Sequence, residues 1–310
     1  MADTYRIDAI HDETDRIRIF DLVPADGRAI PDFAAGAHIE ISIPDVGPRA
    51  YSLIQWPDEP RTLRIAVQRE DTGDGGSLAM HRLAVGEDIK AGAPKNDFPL
   101  DSEASPAVLI AGGIGVTPLI SMATALSAAN RPFAFHYAGR TREAMGFLGR
   151  LSAFGASRHV HPDDASPIDL AQIAGDAPRD AHFYICGPKG MIDAARVAAE
   201  NSGVESDQIH VELFETKPLP GEASFEVELS STGDVVTVLP DQSIVEALEA
   251  AGHDVMYDCQ RGDCGICQTD VISGEPDHRD VVLSQAEKDS GKVMQICVSR
   301  AKSPRLVLDL

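Results

Sequence analysis

Along the first hundred residues, apolar and polar side chains alternate in short runs: TYRIDAI, DRIRIFDL, AHIEISI, RAYSLIQW and RTLRIAVQ. A period of two marks strands with one buried and one wet face, and the turn stretches between them, such as Ala25-Asp26-Gly27 and PDVGP at 44–48, close antiparallel pairs. Short strands at this spacing predict a small barrel. The rhythm changes at DSEASP, residues 101–106, and from there strand-like and helix-like runs alternate: PAVLIA, TPLISMATALSAA, FAFHYA, TREAMGFLGRLSAF, AHFYIC, MIDAARVAAE, QIHVELF. That alternation predicts a parallel sheet covered by helices. A third pattern follows ETKPLPGE, whose prolines and glycine read as a short, fairly stiff linker: FEVEL and VVTVL as strands, IVEALEAAG as a helix, and ICVSRAKSPRLVLDL closing on a strand. The expected domains are residues 1–103, 104–214 and 224–310, with a linker at 215–223.

Charge narrows the partners. A formal net charge of −22 opposes general binding to nucleic acid or anionic membrane. Residues 222–310 carry 17 Asp and Glu against 7 Lys and Arg, which serves solubility or docking to a basic face. No apolar run approaches the roughly 18 residues needed to cross a bilayer, and no signal peptide is evident at the N-terminus. With five cysteines in a chain of 310 residues that needs no stapling, a reduced, cytoplasmic protein is expected.

Four of those cysteines are spaced for chemistry. Cys259, Cys264 and Cys267 stand as C-x4-C-x2-C, and Cys297 follows after a gap of 29 residues. A [2Fe-2S] cluster needs four thiolates, three of them from one tight loop, and Gly262 and Gly265 let the backbone turn around an anionic core. A structural zinc site would need a second C-x2-C pair or histidines at short spacing, and neither is present. The loop and its surroundings resemble plant-type ferredoxins, which implies a β-grasp fold and one-electron transfer.

Two stretches in the first pattern can serve an anionic cofactor. Arg49-Ala50-Tyr51-Ser52 offers a guanidinium, a flat ring and a hydroxyl along one strand, and the glycine-rich turn ending at Gly76 and Ser77 opens a helix whose free N–H groups suit a phosphate. In the second pattern, Gly112, Gly113, Gly115, Thr117 and Pro118 join a strand to a helix, and Cys186, Gly187 and Pro188 follow another strand. Local chemistry leaves a pyrophosphate site or tight packing open there, because the turn is not GxGxxG. No acidic residue follows FAFHYA; Arg140 and Arg142 stand there, suited to a 2′-phosphate or simply solvated. His159 and His161, beside PDD, read as an exposed loop.

Taken together, R-x-Y-S-L, the GGS turn, FAAGAHIEI, PKNDFPL, GGIGVTP and YICGP resemble the ferredoxin reductase superfamily, and more narrowly its phthalate dioxygenase reductase branch, which includes vanillate O-demethylase reductases. The resemblance implies a flavin-binding antiparallel β-barrel, a Rossmann-like NAD domain and a C-terminal ferredoxin domain. It implies FMN, with Arg49, Gly76 and Ser77 at its phosphate and Tyr51 and Ser52 at its ring. It implies NADH, with Thr117 and Cys186 beside the nicotinamide, and Phe214 against the flavin. Electrons would pass from NADH through FMN and the [2Fe-2S] cluster to a Rieske-type non-haem iron oxygenase, from a monomer. Alternative outlets are a haem monooxygenase or a redox sensor without turnover.

Overall fold

In the computed structural model, the described residues are 2–57, 59–73, 75–101, 106–214 and 223–310. The chain divides into two compact units, Met1–His210 and Val211–Leu310. The expected domain break within DSEASP and the linker at 215–222 lie outside the described residues.

The first unit holds two sheets. β1 (Asp3–Asp12), β2 (Ile17–Pro24), β3 (His38–Ile43), β4 (Gly47–Ser52), β5 (Leu63–Gln68) and β6 (Asp88–Ala91) form one sheet in the order β4-β3-β6-β1-β2-β5. Each neighbouring pair in it is antiparallel. The alternation does what it predicts: Ile39, Ile41 and Ile43 on β3 turn inward with Tyr5, Ile7, Phe20, Leu22, Leu63 and Ile65. The four-residue β6 is the strand that the sequence reading missed. RAYSLIQW continues beyond Ser52 as irregular backbone, because Leu53, Ile54 and Trp56 are all buried and cannot alternate. Helix α1 (Gly76–Met80) is a single short turn.

The second sheet is made of β7 (Ala107–Gly112), β8 (Phe133–Gly139), β9 (Arg158–Pro162), β10 (His182–Cys186) and β11 (Ile209–Glu212), in the order β11-β10-β7-β8-β9. β7 pairs in parallel with β8 and β10, and β8 with β9. Helices α2 (Val116–Ala128), α3 (Leu170–Asp176) and α4 (Lys189–Asn201) accompany it. TREAMGFLGRLSAF is not a long helix: it breaks into 3₁₀ turns at Arg142–Ala144 and Arg150–Ser157, with Phe147 and Gly155 at positive φ. Its two glycines, Gly146 and Gly149, and Gly155 just after it weaken helix where apolar spacing favours it. HVH is likewise strand and not loop, for His159 and His161 lie on the edge strand β9. One apolar core serves both sheets of this unit. Ile17, Ile19, Trp56 and Phe98 pack in the same cluster as Leu109, Leu119, Phe135, Tyr137 and Tyr184.

The second unit contains β12 (Phe225–Leu229), β13 (Val235–Val238), α5 (Ile244–Ala250), β14 (Gln268–Ser273), β15 (Pro276–Asp277), α6 (Gln285–Ser290), β16 (Val293–Gln295), β17 (Arg300–Ala301) and β18 (Arg305–Leu308). Its main sheet runs β13-β12-β18-β14-β16, with β12 and β18 parallel at the centre. Helix α5 carries a complete capping box from Ser243 and Glu246 and buries Ile244, Val245, Ala247 and Leu248. Among the described residues, no helix is long and apolar enough to cross a membrane.

Candidate flavin, nicotinamide and iron–sulfur sites

Helix α2 fastens the two sheets of the first unit together at the motif Arg49–Leu53. Ser121 Oγ donates to Leu53 O at 2.7 Å and accepts from Gln55 N at 2.8 Å, while Thr124 Oγ1 donates to Gln55 O at 2.8 Å. Immediately before this anchor, Ser52 is 5 % exposed and its Oγ has no hydrogen-bond partner among the described residues. A buried hydroxyl left without a partner costs about 1–3 kcal/mol, so the hydroxyl fits a site completed by a bound polar group. Tyr51 is half-buried, and burial pushes its phenol up to about 12. Arg49 is packed against the glycine turn: a Cβ on Gly76 would stand 3.3 Å from Arg49 Cγ. A side chain at Gly76 would make the guanidinium stem give by a few tenths of an ångström, so Arg49 and the N-terminus of α1 share one close corner. Ser77 behaves differently from expectation. Its Oγ accepts from Glu70 N at 2.9 Å and lies 3.4 Å from Glu70 O, so it closes the turn. Ala50 is exposed on the same strand.

The two glycine-containing turns at the ends of β7 and β10 meet backbone to backbone. A Cβ on Gly115 would lie 2.4 Å from Cys186 O, one on Gly187 2.9 Å from Gly112 Cα, and one on Gly112 2.7 Å from Pro188 Cδ. Side chains are excluded at all three positions, which leaves a shallow floor at the carboxyl ends of two adjacent parallel strands, the place where such sheets bind ligands. Gly113 takes φ 54°, and Thr117 and Pro118 begin α2 just beyond. Thr117 Oγ1 donates to Ile114 O at 3.0 Å, and Cys186 is fully buried at the end of β10. Arg140 and Arg142 are exposed beyond β8.

In the second unit the four spaced cysteines converge. Cys267 Sγ lies 3.1 Å from Cys297 Sγ, and Cys259 Sγ accepts from Arg261 N at 3.3 Å. Gln260, Gly262 and Gly265 all adopt positive φ, the left-handed steps that wrap the loop, and a Cβ on Gly262 would strike Val298 Cγ2 at 2.5 Å. Hydrogen bonding from the Cys297 thiol draws the Cys259 thiol down to about 3, and the same contact pushes Cys297 up. Thiols this close share protons when empty and lose them to a metal centre, which is the donor chemistry of an iron–sulfur site.

Two charged residues inside this loop were not singled out from the sequence. Asp263, with its side chain 4 % exposed, accepts from Leu213 N at 3.0 Å and pairs with Arg261 at 3.2 Å. Burial pushes the Asp263 carboxyl up to about 7. The alternation of charge in Q-R-G-D within an otherwise small-residue loop was the available signal. Phe214 falls in this unit and is 36 % exposed.

A flavin corner and a nucleotide floor on one core, with a four-thiolate loop in the same chain, define a pyridine-nucleotide-dependent oxidoreductase that carries its own ferredoxin. Residues 227–302 match the 2Fe-2S iron-sulfur cluster binding domain. The chain is 41 % identical over 309 residues to the phenoxybenzoate dioxygenase subunit beta of Ectopseudomonas oleovorans, covering 98 % of this chain and 96 % of that one. Among solved structures, phthalate dioxygenase reductase, described as modular for electron transfer from pyridine nucleotides to [2Fe-2S], superposes with TM-score 0.71 at 34 % identity, covering 100 % of this chain and 98 % of it. An intact type IV self-sufficient cytochrome P450 monooxygenase superposes with TM-score 0.72 at 37 % identity; this chain, covered completely, spans 41 % of that longer one. The protein belongs to the phthalate dioxygenase reductase family, and with it to the oxidoreductases that join flavin, NADH and a [2Fe-2S] cluster.

Proposed function

We propose that this chain is the reductase component of a two-component system, delivering electrons from NADH through FMN and its [2Fe-2S] cluster to a Rieske-type non-haem iron oxygenase acting on an aromatic compound. The observation that carries the reading is the convergence of the four cysteines in a chain whose other unit fastens Arg49–Ser52 and the Gly112–Cys186 floor to one core. A flavin, when bound, supplies the step from paired to single electrons. The chain's own residues hold it. Arg49 and the N-terminal N–H groups of α1, with Gly76 and Ser77, take the phosphate of FMN, as the family resemblance implies. Tyr51 covers the ring, and Ser52 meets its edge.

NADH lies over Gly112, Gly113 and Gly115, with Pro118 and Gly187-Pro188 as walls. Thr117 and Cys186 steer the nicotinamide toward the flavin edge beside Ser52, and Phe214 is a secondary candidate for the flavin, as the family resemblance implies. These are positioning roles, in which no side chain acts as a strong acid or base. Cys259, Cys264, Cys267 and Cys297 bind the cluster. The working protein is a cytoplasmic monomer, with a flavin domain to residue 103, a nucleotide domain to 214 and a ferredoxin domain from 224.

The test is reconstitution with purified Rieske-type aromatic oxygenases: NADH-dependent hydroxylation or demethylation that requires both proteins supports the reading, and failure with every such oxygenase while cytochrome c is still reduced refutes the partner. The P450 fusion motivates a second outlet, since a closely similar chain there accompanies a haem monooxygenase. Transfer to a haem monooxygenase and not to a Rieske protein would establish it.

A further inference from the structure

Electron bookkeeping leaves a proton behind in this chain. NADH → NAD⁺ + 2 e⁻ + H⁺ is the net reaction on the donor side. The hydride brings both electrons and the hydrogen nucleus to the flavin edge, but the cluster takes only electrons, one at a time. One proton per NADH must therefore leave a dry site as the electrons depart. Ser52, at that edge in the reading above on which this inference rests, is 5 % exposed, and its Oγ is buried from bulk solvent.

His38 stands beside it. The register pairs His38 on β3 with Ser52 on β4. Leu53 N donates to Ala37 O at 2.8 Å, while the backbone of His38 is committed on its other side to Lys95, at 2.8 and 3.0 Å. His38 and Ser52 are therefore a non-hydrogen-bonded pair, the kind whose side chains project from the same face with Cβ atoms about 4.5–5.5 Å apart. Ser52 Oγ makes no hydrogen bond to a described residue, so the link from hydroxyl to imidazole runs through one water. His38 is itself 5 % exposed, with Ser52 opposite it in the register and its Nε2 3.9 Å from Asp97 Oδ2. Asp97 has 24 % of its side chain in solvent. The same face of β3 carries Glu40, exposed, and Lys95 comes from the strand-like segment across it.

We propose that Ser52, His38 and Asp97 form a proton exit from the flavin edge to solvent. Ser52 Oγ accepts the proton released when the electrons leave and passes its own hydroxyl proton through that water to one ring nitrogen of His38. The other ring nitrogen yields its proton to Asp97, which gives it to water, and the imidazole resets by exchanging tautomers. No electron moves through these side chains, and no co-reactant beyond NADH and the electron acceptor is needed. His38 touches the relay and not the nicotinamide, so it serves the second half of turnover alone.

The test follows the protein charged with FMN and cluster, mixed anaerobically with one equivalent of NADH in weakly buffered solution containing a pH indicator, in H₂O and in D₂O. Flavin bleaching reports hydride arrival, cluster absorbance reports electron departure, and the indicator counts protons. In the wild-type protein, proton release should keep pace with electron departure and reach one proton per NADH.

His38→Gln preserves a hydrogen-bonding side chain but removes the acid–base group. It should slow proton release and electron departure by at least about tenfold, with an enlarged solvent isotope effect, while flavin bleaching and FMN affinity change by no more than about twofold. Asp97→Asn, at a partly exposed position that is safer for folding, should slow proton release about threefold or more and leave bleaching alone. Unchanged proton release in both variants overturns the relay. Equal slowing of bleaching and weakening of FMN binding overturns it in favour of a purely structural histidine. A wild-type protein that retains no FMN would instead defeat the flavin reading beneath it.

Discussion

In the ferredoxin unit, the residues that carry the chemistry are part of the core: Cys267 and Cys297 are buried among Phe225, Val227, Met294 and Ile296, so the cluster site and the fold stand or fall together. In the reductase unit, the chemistry sits where the core stops. Ser52 lies one residue before the anchored Leu53, Gly115 and Gly187 owe their importance to the side chain they lack, and Arg49 packs against Gly76 and donates to Pro48 O at 2.8 Å. One unit binds by covalent-strength donors in a fixed loop, whereas the other binds by shape and a few polar contacts on a shared core. Damage to the first should be all-or-none, and damage to the second graded.

Cys264→Ser should therefore have the largest effect. It removes one thiolate of four, so the cluster absorbance and its reduced-state paramagnetic signal should vanish while NADH-dependent ferricyanide reduction persists at near wild-type rate. Loss of dye reduction as well would show that the units are not independent.

Gly115→Ala comes next, since its Cβ would collide with Cys186 O at 2.4 Å. Backbone cannot yield as a flexible side chain does, so overpacking should cost about 1–3 kcal/mol of stability and raise the apparent KM for NADH with flavin content intact. Thermal melting and steady-state kinetics would measure both. A variant with normal KM would dissolve the nucleotide floor.

Arg49→Ala should weaken FMN binding by about one to two orders of magnitude, the equivalent of a charged hydrogen bond of about 1.5–3 kcal/mol. Fluorescence titration of the stripped protein reads it directly.

The smallest effect concerns acid stability. His136 stacks on His159 at 4.7 Å and its Nδ1 lies 3.1 Å from His161 Nε2, while burial, then the neighbouring imidazoles, pushes its pKa down to about 4. A folded-state pKa below the unfolded one favours the neutral form. Stability from this group is therefore full above pH about 6.5 and is lost as pH falls toward about 4. Tm should decline over that window in the wild-type protein and less steeply in His136→Phe. Parallel curves would remove the histidine stack from the account.

The same contrast explains what the sequence disclosed. Cysteine spacing alone predicted a loop that the structure does close, because four thiols of one cluster must obey a fixed geometry. The alternating strands were equally legible, since a half-buried face leaves a period of two in TYRIDAI and AHIEISI. The long run TREAMGFLGRLSAF misled because its apolar spacing mimics a helix while Phe147, and Gly155 just after the run, turn the backbone the other way. HVH hid on an edge strand, where one face has no apolar partner to impose a pattern. His38 was inside a quoted motif and still unread: its meaning comes from standing opposite Ser52, a relation between strands that no local spacing records. The pair Arg261 and Asp263 was missed for the same reason, because its significance lies in Leu213, fifty residues earlier.

The central claim is that one chain takes paired electrons from NADH and passes them singly to its own cluster. Anaerobic freeze-quench of the fully loaded protein after mixing with NADH tests this most directly. The account predicts flavin bleaching first, followed by growth of the reduced [2Fe-2S] paramagnetic signal without any added protein. Flavin that bleaches while the cluster stays oxidised, or a cluster that NADH reduces in protein stripped of flavin, would contradict it.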